Sequence, residues 1–172
     1  MVAHLHTIGH GALDAGVFLE RSRRAGVEAI IDVRSVPASR RHPHFARDAM
    51  ERWLHEARIG YRWEQELGGF RRPLPDSINL GLRHASFRGY ADYMATPAFA
   101  TALARVLVEA ATARVAVMCS ETLWWRCHRR LIADAAVLLH DVEVLHVDGR
   151  GRSEPHRVTP GAAVEDGVVI YR

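Results

Sequence analysis

One stretch of the sequence restricts the possible folds of this chain more than any other. It runs from Arg114 to Leu131 and reads RVAVMCSETLWWRCHRRL. Residues 114–119 form a short apolar run with the β-branched content of a buried strand. From Cys127 onward, apolar residues recur at helical spacing, so the stretch predicts a strand, a polar loop and a helix. In open α/β sheets, ligands bind where the carboxyl end of a strand faces a helix N-terminus. We therefore expect the functional site here.

The rest of the chain repeats this alternation of strand and helix. Apolar runs predict further strands over residues 2–8, 27–33, 59–63 and 142–147, with helices over 13–24, 48–58, 86–94 and 97–111. The pattern predicts an α/β fold: a single doubly wound, mainly parallel sheet with helices on both faces, Rossmann-like in type. We assign residues 1–150 to one domain and 151–172 to a C-terminal tail with a short edge strand. Residues 64–85 show no steady period, and a loop of that length is usually functional or a lid.

Composition restricts the class of protein. The chain has 172 residues, of which 48% are hydrophobic and 25% charged, as in ordinary globular domains. No apolar run has the length of a membrane span or the form of a signal peptide, and two cysteines do not make a secreted disulfide scaffold. We predict a cytoplasmic protein with no membrane partner. All 23 basic residues are arginine, which suits phosphate recognition, but a net charge of +3 does not by itself require nucleic acid.

Both cysteines lie in the central stretch. Cys119 ends the predicted strand and faces a helix N-terminus and arginines, which would lower its thiol pKa and make it a nucleophile. Alternatively, Cys119 is a small buried side chain that packs at the end of a core strand. Cys127, on the first predicted helical turn, is either a resolving thiol or a packing residue. Together with His128 the cysteines lack the close paired spacing of a zinc site, and we predict no metal.

Charged side chains surround the cysteines. Glu121 and His128 can form an acid/base pair, although Glu121 can instead accept backbone N–H groups or pair with Arg129. Arg126, Arg129 and Arg130, beside the helix N-terminus, form either an anion site or a solvated helix face.

A second polar group follows the strand predicted over residues 27–33. Asp32 can hold a ribose hydroxyl or lock Arg34 in an ion pair, and Arg34 can bind an anion. In the next loop, Ser39 and Arg40 either contact phosphate or are simply solvated. Because the carboxyl ends of parallel strands share one edge of a sheet, we expect Asp32 and Arg34 to lie near His10 and Cys119.

Several short motifs occur in order along the chain. They are Thr7-Ile-Gly-His10, Asp32-Val-Arg34, Ser39-Arg40, His42-Pro-His44-Phe45, Gly60-Tyr61, Leu67-Gly-Gly69, Phe87-Arg-Gly-Tyr-Ala-Asp-Tyr93, Cys119-Ser-Glu121 and Cys127-His-Arg129. In this combination the chain resembles the domain of unknown function 488 family over residues 5–147. The resemblance implies a compact bacterial or archaeal α/β domain and marks the motif residues, Gly9 and Tyr90 among them, as its site. The resemblance does not imply a particular reaction.

The chain departs from the family pattern at two places. Gly11 stands where a polar residue commonly follows the first motif, which removes one hydroxyl from the site. Residues 122–126 are bulkier and more apolar than the usual acidic link before Cys-His-Arg. Trp124 and Trp125 in this link form either a base-stacking pocket or a cap on the core.

Three functions fit these residues. The first is an enzyme or binding protein for a phosphate-bearing or nucleotide-like ligand, with a catalytic group of Cys119, Glu121 and His128. The expected ligand contacts are Gly9, His10, Asp32, Arg34, Ser39, Arg40, Tyr90, Cys127 and Arg129. The alternatives are a nucleic-acid-binding accessory module and a metal- or redox-responsive protein that uses its cysteines and histidine. Neither a cofactor nor an oligomeric state follows from the sequence.

Overall fold

The computed structural model describes residues 3–172, in which strands and helices alternate over most of the length. The strands of this part are β1 (His4–Gly9), β2 (Ala29–Asp32), β3 (Gly60–Trp63), β4 (Val115–Cys119), β5 (Glu143–Val147), β6 (Ser153–Pro155), β7 (Ala162–Glu165) and β8 (Val168–Tyr171). Its α-helices are α1 (Ala15–Arg24), α2 (Arg47–Glu56), α3 (Ala85–Met94), α4 (Pro97–Ala110) and α5 (Arg129–His140). Val2, which the first predicted strand includes, lies outside the described residues.

Strands β1 to β6 form one sheet in the order β3-β2-β4-β1-β5-β6. Neighbouring strands are parallel except for β5 and β6, which are antiparallel. The prediction of an α/β fold with a mainly parallel sheet is therefore confirmed. A doubly wound, Rossmann-like sheet is not confirmed, because β1 would then lie beside β2, whereas β4 separates them here.

Helices cover both faces of the sheet because successive residues of a strand point to opposite sides. Val115, Val117 and Cys119 of β4 belong to a core that α3, α4 and α5 complete. Ala116 and Met118 belong to a second core, which α1 and α2 complete. Every residue of β4 is buried, as its uninterrupted apolar sequence predicts. Cys119 therefore stands at the end of a strand that is packed on both sides.

The helix after the central loop starts later than predicted. Residues Trp124–Arg126 form a short 3-10 turn, and Cys127 has an extended backbone with φ of −127° and ψ of 152°. The helix α5 consequently begins at Arg129 instead of Cys127. By contrast, α4 begins as predicted, with the Thr96 hydroxyl accepting the backbone N–H of Phe99.

Residues 151–172 pack onto the domain. The strand β6 extends the main sheet, whereas β8, at the predicted edge strand, pairs with β7 instead. The backbone N–H of Tyr171 donates to Asn79 Oδ1 at 3.0 Å and so links the tail to the long segment between β3 and α3. Across residues 3–172, every helix is too short or too polar to cross a lipid bilayer.

Candidate functional site

The carboxyl ends of β1, β2 and β4 meet at one edge of the sheet. Gly9 and Cys119 are register partners, and the backbone N–H of His10 donates to the Cys119 carbonyl at 3.0 Å. Next to these strand ends lies a cavity of about 570 Å³. The predicted site residues that line it are His10, Arg34, Ser39, Tyr90, Cys119, Glu121, Cys127 and His128. The remaining ones, Gly9, Asp32, Arg40 and Arg129, lie outside its lining.

Two sulfurs and one imidazole nitrogen come together at this cavity. The Nδ1 atom of His128 lies 3.6 Å from the Cys127 sulfur and 3.9 Å from the Cys119 sulfur, and the three atoms lie within 4.8 Å of one another. We call these residues the thiol–imidazole cluster. On the other side of the ring, Nε2 lies 2.8 Å from the Val33 carbonyl oxygen. Because a carbonyl only accepts, Nε2 carries a proton, and Nδ1 faces the two sulfurs.

The two thiols have opposite pKa shifts. A hydrogen bond to Cys127, together with burial, raises the pKa of Cys119 to about 12. Burial also tends to raise the pKa of Cys127, but the hydrogen bond from Cys119 and the positive charge of Arg129 lower it to about 6. The Nε and backbone N of Arg129 lie 3.4 and 3.5 Å from the Cys127 sulfur. The lowered pKa that the sequence predicts for Cys119 therefore belongs to Cys127.

Arg129 lies inside the fold, with only 1% of its surface exposed. Besides its contacts with Cys127, its guanidinium donates to the Glu121 carbonyl oxygen and, at 3.3 Å, to Thr7 Oγ1. A Cβ at position 9 would overlap that same Glu121 carbonyl, so Gly9 permits this close approach. The position of Arg129 favours support of the Cys127 thiolate over contact with a ligand.

Glu121 is exposed at the cavity and does not pair with His128. Its carboxylate accepts the backbone N–H of Leu123 at 3.2 Å. Of the roles predicted for Glu121, the structure therefore shows the one in which it accepts a hydrogen bond from the backbone. The imidazole of His128 is instead placed by the Val33 carbonyl and by the aromatic ring of Tyr90, whose centroid lies 5.1 Å away. The hydroxyl of Tyr90 donates to the Leu67 carbonyl at 2.8 Å.

Asp32 and Arg34 form a buried ion pair beside the cavity. The Nε and Nη2 atoms of Arg34 donate to the two Asp32 oxygens at 2.9 and 2.6 Å, and the Tyr61 hydroxyl donates to the same carboxylate. The Nη1 atom of Arg34 lies 3.4 Å from Nε2 of His10. Burial lowers the pKa of His10 to about 4, so this imidazole is neutral and accepts from the guanidinium. Of this group, His10 and Arg34 line the cavity.

The loop after β2 contributes less than predicted. The hydroxyl of Ser39 accepts the backbone N–H of His42 at 3.0 Å, while Ser39 also lines the cavity. Arg40 is exposed to solvent outside the cavity lining.

A chain of buried hydrogen bonds connects Arg129 to Asp134 on α5. Thr7 Oγ1, which accepts from Arg129, lies 2.6 Å from Nδ1 of His146. Nε2 of His146 lies 2.9 Å from Nδ1 of His156, and Nε2 of His156 lies 2.8 Å from Asp134 Oδ1. We call these five residues the buried polar chain.

The two ends of the buried polar chain have fixed roles. A guanidinium only donates and a carboxylate only accepts, so Arg129 donates to Thr7 at one end and Nε2 of His156 donates to Asp134 at the other. Burial, with the nearby His156 and Arg129, lowers the pKa of His146 to about 2, which keeps that ring neutral. Trp124 stacks on His146 with ring centroids 4.1 Å apart, so it covers this chain instead of forming a base-stacking pocket.

Sequence reasoning missed several residues of the cavity. Phe70 is 93% exposed, has a left-handed backbone with φ of 55°, and lines the cavity together with Phe87. Arg126, although considered for an anion site, was not among the expected ligand contacts, yet it is exposed on the cavity lining. A signal did exist, because Phe70 follows the Leu67-Gly-Gly69 motif and Phe87 begins another.

The thiol–imidazole cluster is also the group that could hold a soft metal ion. Two sulfurs and a nitrogen whose ring is oriented by a carbonyl are a ligand set that zinc accepts, with a fourth position left open. The guanidinium of Arg129, whose Nε lies 3.4 Å from the Cys127 sulfur, opposes a divalent cation there. This contact favours a thiolate nucleophile over a metal centre.

Comparison with known proteins yields one family. A family model described as domain of unknown function DUF488 matches residues 14–136, which is more than half of the chain. The matched part contains Asp32, Arg34 and the thiol–imidazole cluster, whereas Thr7, His146 and His156 of the buried polar chain lie outside it. No curated protein and no solved structure matches the chain.

Proposed function

Because the chain belongs to the family described as domain of unknown function DUF488, whose description carries no reaction, we propose a function from the chemistry of the site. The protein is an enzyme in which the Cys127 thiolate attacks an electrophilic atom of a small, anionic, nucleotide-like substrate held in the cavity. A bond from that atom to the sulfur forms while its bond to a leaving group breaks. One observation carries the proposal. The Cys127 sulfur lies between the guanidinium of Arg129, at 3.4 Å, and the imidazole of His128, at 3.6 Å.

The three residues divide the work of nucleophilic catalysis. Arg129 stabilises the negative sulfur, and its burial keeps that charge free of solvent screening. His128, oriented by the Val33 carbonyl, is the base that accepts a thiol proton at Nδ1 and the acid that returns a proton to a leaving group. This is the arrangement of nucleophile, base and orienting group that activated cysteines require.

Two further residues of the expected catalytic group have supporting roles in this proposal. Cys119 keeps its proton, because its pKa is raised to about 12, and its sulfur lies within 4.8 Å of the Cys127 sulfur. Glu121 offers a carboxylate at the cavity that can accept a hydroxyl hydrogen bond from the substrate.

The cavity lining favours a ligand that combines a planar ring with phosphate. The exposed ring of Phe70, held in a sparsely populated backbone conformation beside Phe87, is typical of a binding residue that stacks on a base. Arg126 adds an exposed guanidinium of the kind that binds phosphate. Arg34 contributes Nη1, since Asp32 occupies its other two nitrogens. A nucleic-acid module would instead spread its arginines over an open face, so the concave site favours a small molecule.

Alkylation by iodoacetamide, followed at each cysteine by mass spectrometry, tests the thiolate. We expect Cys127 to react in the native fold with an apparent pKa near 6 and Cys119 to react slowly at pH 7. If Cys127 reacts only after unfolding, or with an apparent pKa near that of a free thiol, the nucleophile proposal fails. Prior treatment with a chelator should leave the rate unchanged, whereas a metal-bound site would react faster after chelation.

Protection of Cys127 tests the ligand class. Nucleoside monophosphates should slow its alkylation and raise the melting temperature more than inorganic phosphate does at equal ionic strength. The variant Arg126→Gln should lose much of this protection, whereas Arg52→Gln, an exposed arginine on α2, should keep it. Equal effects of the two variants, or no protection by any nucleotide, would remove the support for a nucleotide-like substrate.

A further inference from the structure

The proposed attack by Cys127 leaves a second buried thiol at the same cavity without a covalent role. We infer that Cys119 is a resolving thiol, which closes an intramolecular disulfide with Cys127 after Cys127 has attacked a low-molecular-weight disulfide. The protein then has a thiol–disulfide exchange activity in addition to the proposed one. This inference rests on Cys127 being the nucleophile of the proposed function.

The position of the two sulfurs carries the inference. Both line the cavity, and both lie within 4.8 Å of Nδ1 of His128 and of each other. Disulfide closure requires the sulfurs to approach to about 2 Å. Cys119 is held at the end of β4 by its pairing with β1, while Cys127 sits in the extended segment before α5. Cys127 and the segment that connects the two residues must therefore make the movement that brings the sulfurs together.

The first step joins Cys127 to the small disulfide. The Cys127 thiolate attacks one sulfur of the disulfide RSSR, so that a Cys127–SR bond forms and the S–S bond of the reagent breaks. The departing RS⁻ takes a proton from solvent and leaves as RSH. The protein now carries a mixed disulfide, and the charge of Cys127 is gone.

The second step reduces the mixed disulfide with the electrons of Cys119. Nδ1 of His128 accepts the Cys119 proton, and the new thiolate attacks the Cys127 sulfur. The Cys119–Cys127 bond forms, and the second RS⁻ leaves with the proton that His128 returns. In sum, two protein thiols are oxidised to one disulfide while RSSR is reduced to two RSH, so atoms and electrons balance.

The electrostatics order these steps. The largest cause of the raised Cys119 pKa is the interaction of its thiol with the Cys127 sulfur, and this interaction with a thiolate disappears once Cys127 carries the SR group. His128 lies 3.9 Å from the Cys119 sulfur and lowers the same pKa. Cys119 thus stays protonated while Cys127 is free and becomes a better nucleophile when there is a mixed disulfide to resolve.

The experiment uses the reduced full chain and 2-hydroxyethyl disulfide, a small neutral reagent, with acid quenching and intact mass measurement. We expect the wild type to lose the mass of two hydrogens and to release two equivalents of 2-mercaptoethanol. The variants Cys119→Ser and Cys119→Ala should both stop at a mixed disulfide on Cys127 and release one equivalent. As the matched control, Cys127→Ser should not react in the native fold.

The other outcomes decide against the inference. A wild type that stops at the mixed disulfide, forms disulfides between chains or does not react at all has no resolving thiol. The wild-type result alone is decisive, so a variant that fails to fold does not obscure it. Iodoacetamide alkylation of Cys127 in the same preparation separates the two proposals, because a reactive Cys127 without disulfide closure leaves the proposed function standing.

Discussion

Replacing Arg129 with methionine tests the central contact of the site. Methionine retains much of the buried volume but removes the guanidinium. The Thr7 hydroxyl and the Glu121 carbonyl then lose their donor, and the Cys127 sulfur loses its positive neighbour. We therefore expect both the stability of the fold and the reactivity of the thiol to change.

The magnitude follows from the contacts that are lost. A hydrogen bond from a charged group is worth ~1.5–3 kcal/mol, so the two lost bonds predict a fall of roughly 3–6 kcal/mol in the free energy of unfolding. For a chain of this length, 1 kcal/mol corresponds to a shift of ~2–4 °C, which predicts a melting temperature lower by roughly 6–24 °C. The pKa of Cys127 should rise, because the interaction with Cys119 remains but the Arg129 charge and hydrogen bond, which also lower this pKa, are gone.

Urea and thermal denaturation under reducing conditions measure the first effect, and the pH dependence of alkylation measures the second. Arg126→Met is the matched control, since Arg126 is exposed three residues before Arg129 and its loss should cost less than ~0.5 kcal/mol. A stable Arg129→Met variant that loses ligand binding but keeps the alkylation profile of Cys127 would refute this reasoning. It would return Arg129 to the anion-binding role that the sequence suggests.

Three further changes have defined outcomes. The folded Cys127 thiol releases its proton near pH 6, whereas an unfolded thiol releases it near pH 9. The unfolded state binds more protons between these values, so the free energy of unfolding should rise with pH in that window. This added stability should be lost as pH falls through 6, and the pH dependence should be weaker in Cys127→Ser. Phe70→Gly should leave the melting temperature almost unchanged, because the ring is exposed and its backbone is left-handed, yet weaken nucleotide protection, whereas Leu80→Ala should affect neither. Asp32→Asn should destabilise the fold by about 3–5 kcal/mol in urea denaturation, because it leaves Arg34 buried without its counter-charge; a loss below ~1 kcal/mol would contradict the buried ion pair.

Local patterns suffice for the parts of the fold that depend on neighbouring residues. The apolar runs of β2 and β4 have the composition of buried parallel strands, and both form within a residue or two of their predicted bounds. The meeting of His10, Arg34 and Cys119 at one edge also follows from the sequence, because the carboxyl ends of parallel strands share that edge. The start of α5 was missed because a 3-10 turn and an extended Cys127 precede it, and neither has a distinct sequence signal.

The division of roles between the two thiols could not be predicted in the same way. Both cysteines precede Arg129 within one strand–loop–helix stretch, and the direction of the Arg129 side chain decides which sulfur it contacts. That direction depends on Thr7, which accepts from Arg129, and Thr7 in turn contacts His146, 139 residues further along the chain than Thr7. No periodicity or spacing records a contact of this range.

The buried polar chain also delays the completion of the site during synthesis. When Cys127 and His128 have left the ribosome, His146 and His156, the partners of Thr7 and Asp134, have not yet been added to the chain. Because a chain is synthesised from its N-terminus, the buried polar chain is complete only after residue 156 has left the exit tunnel and β5 has joined β1. The Thr7 hydroxyl, which accepts from Arg129 beside Cys127, therefore gains its His146 partner only at this late stage.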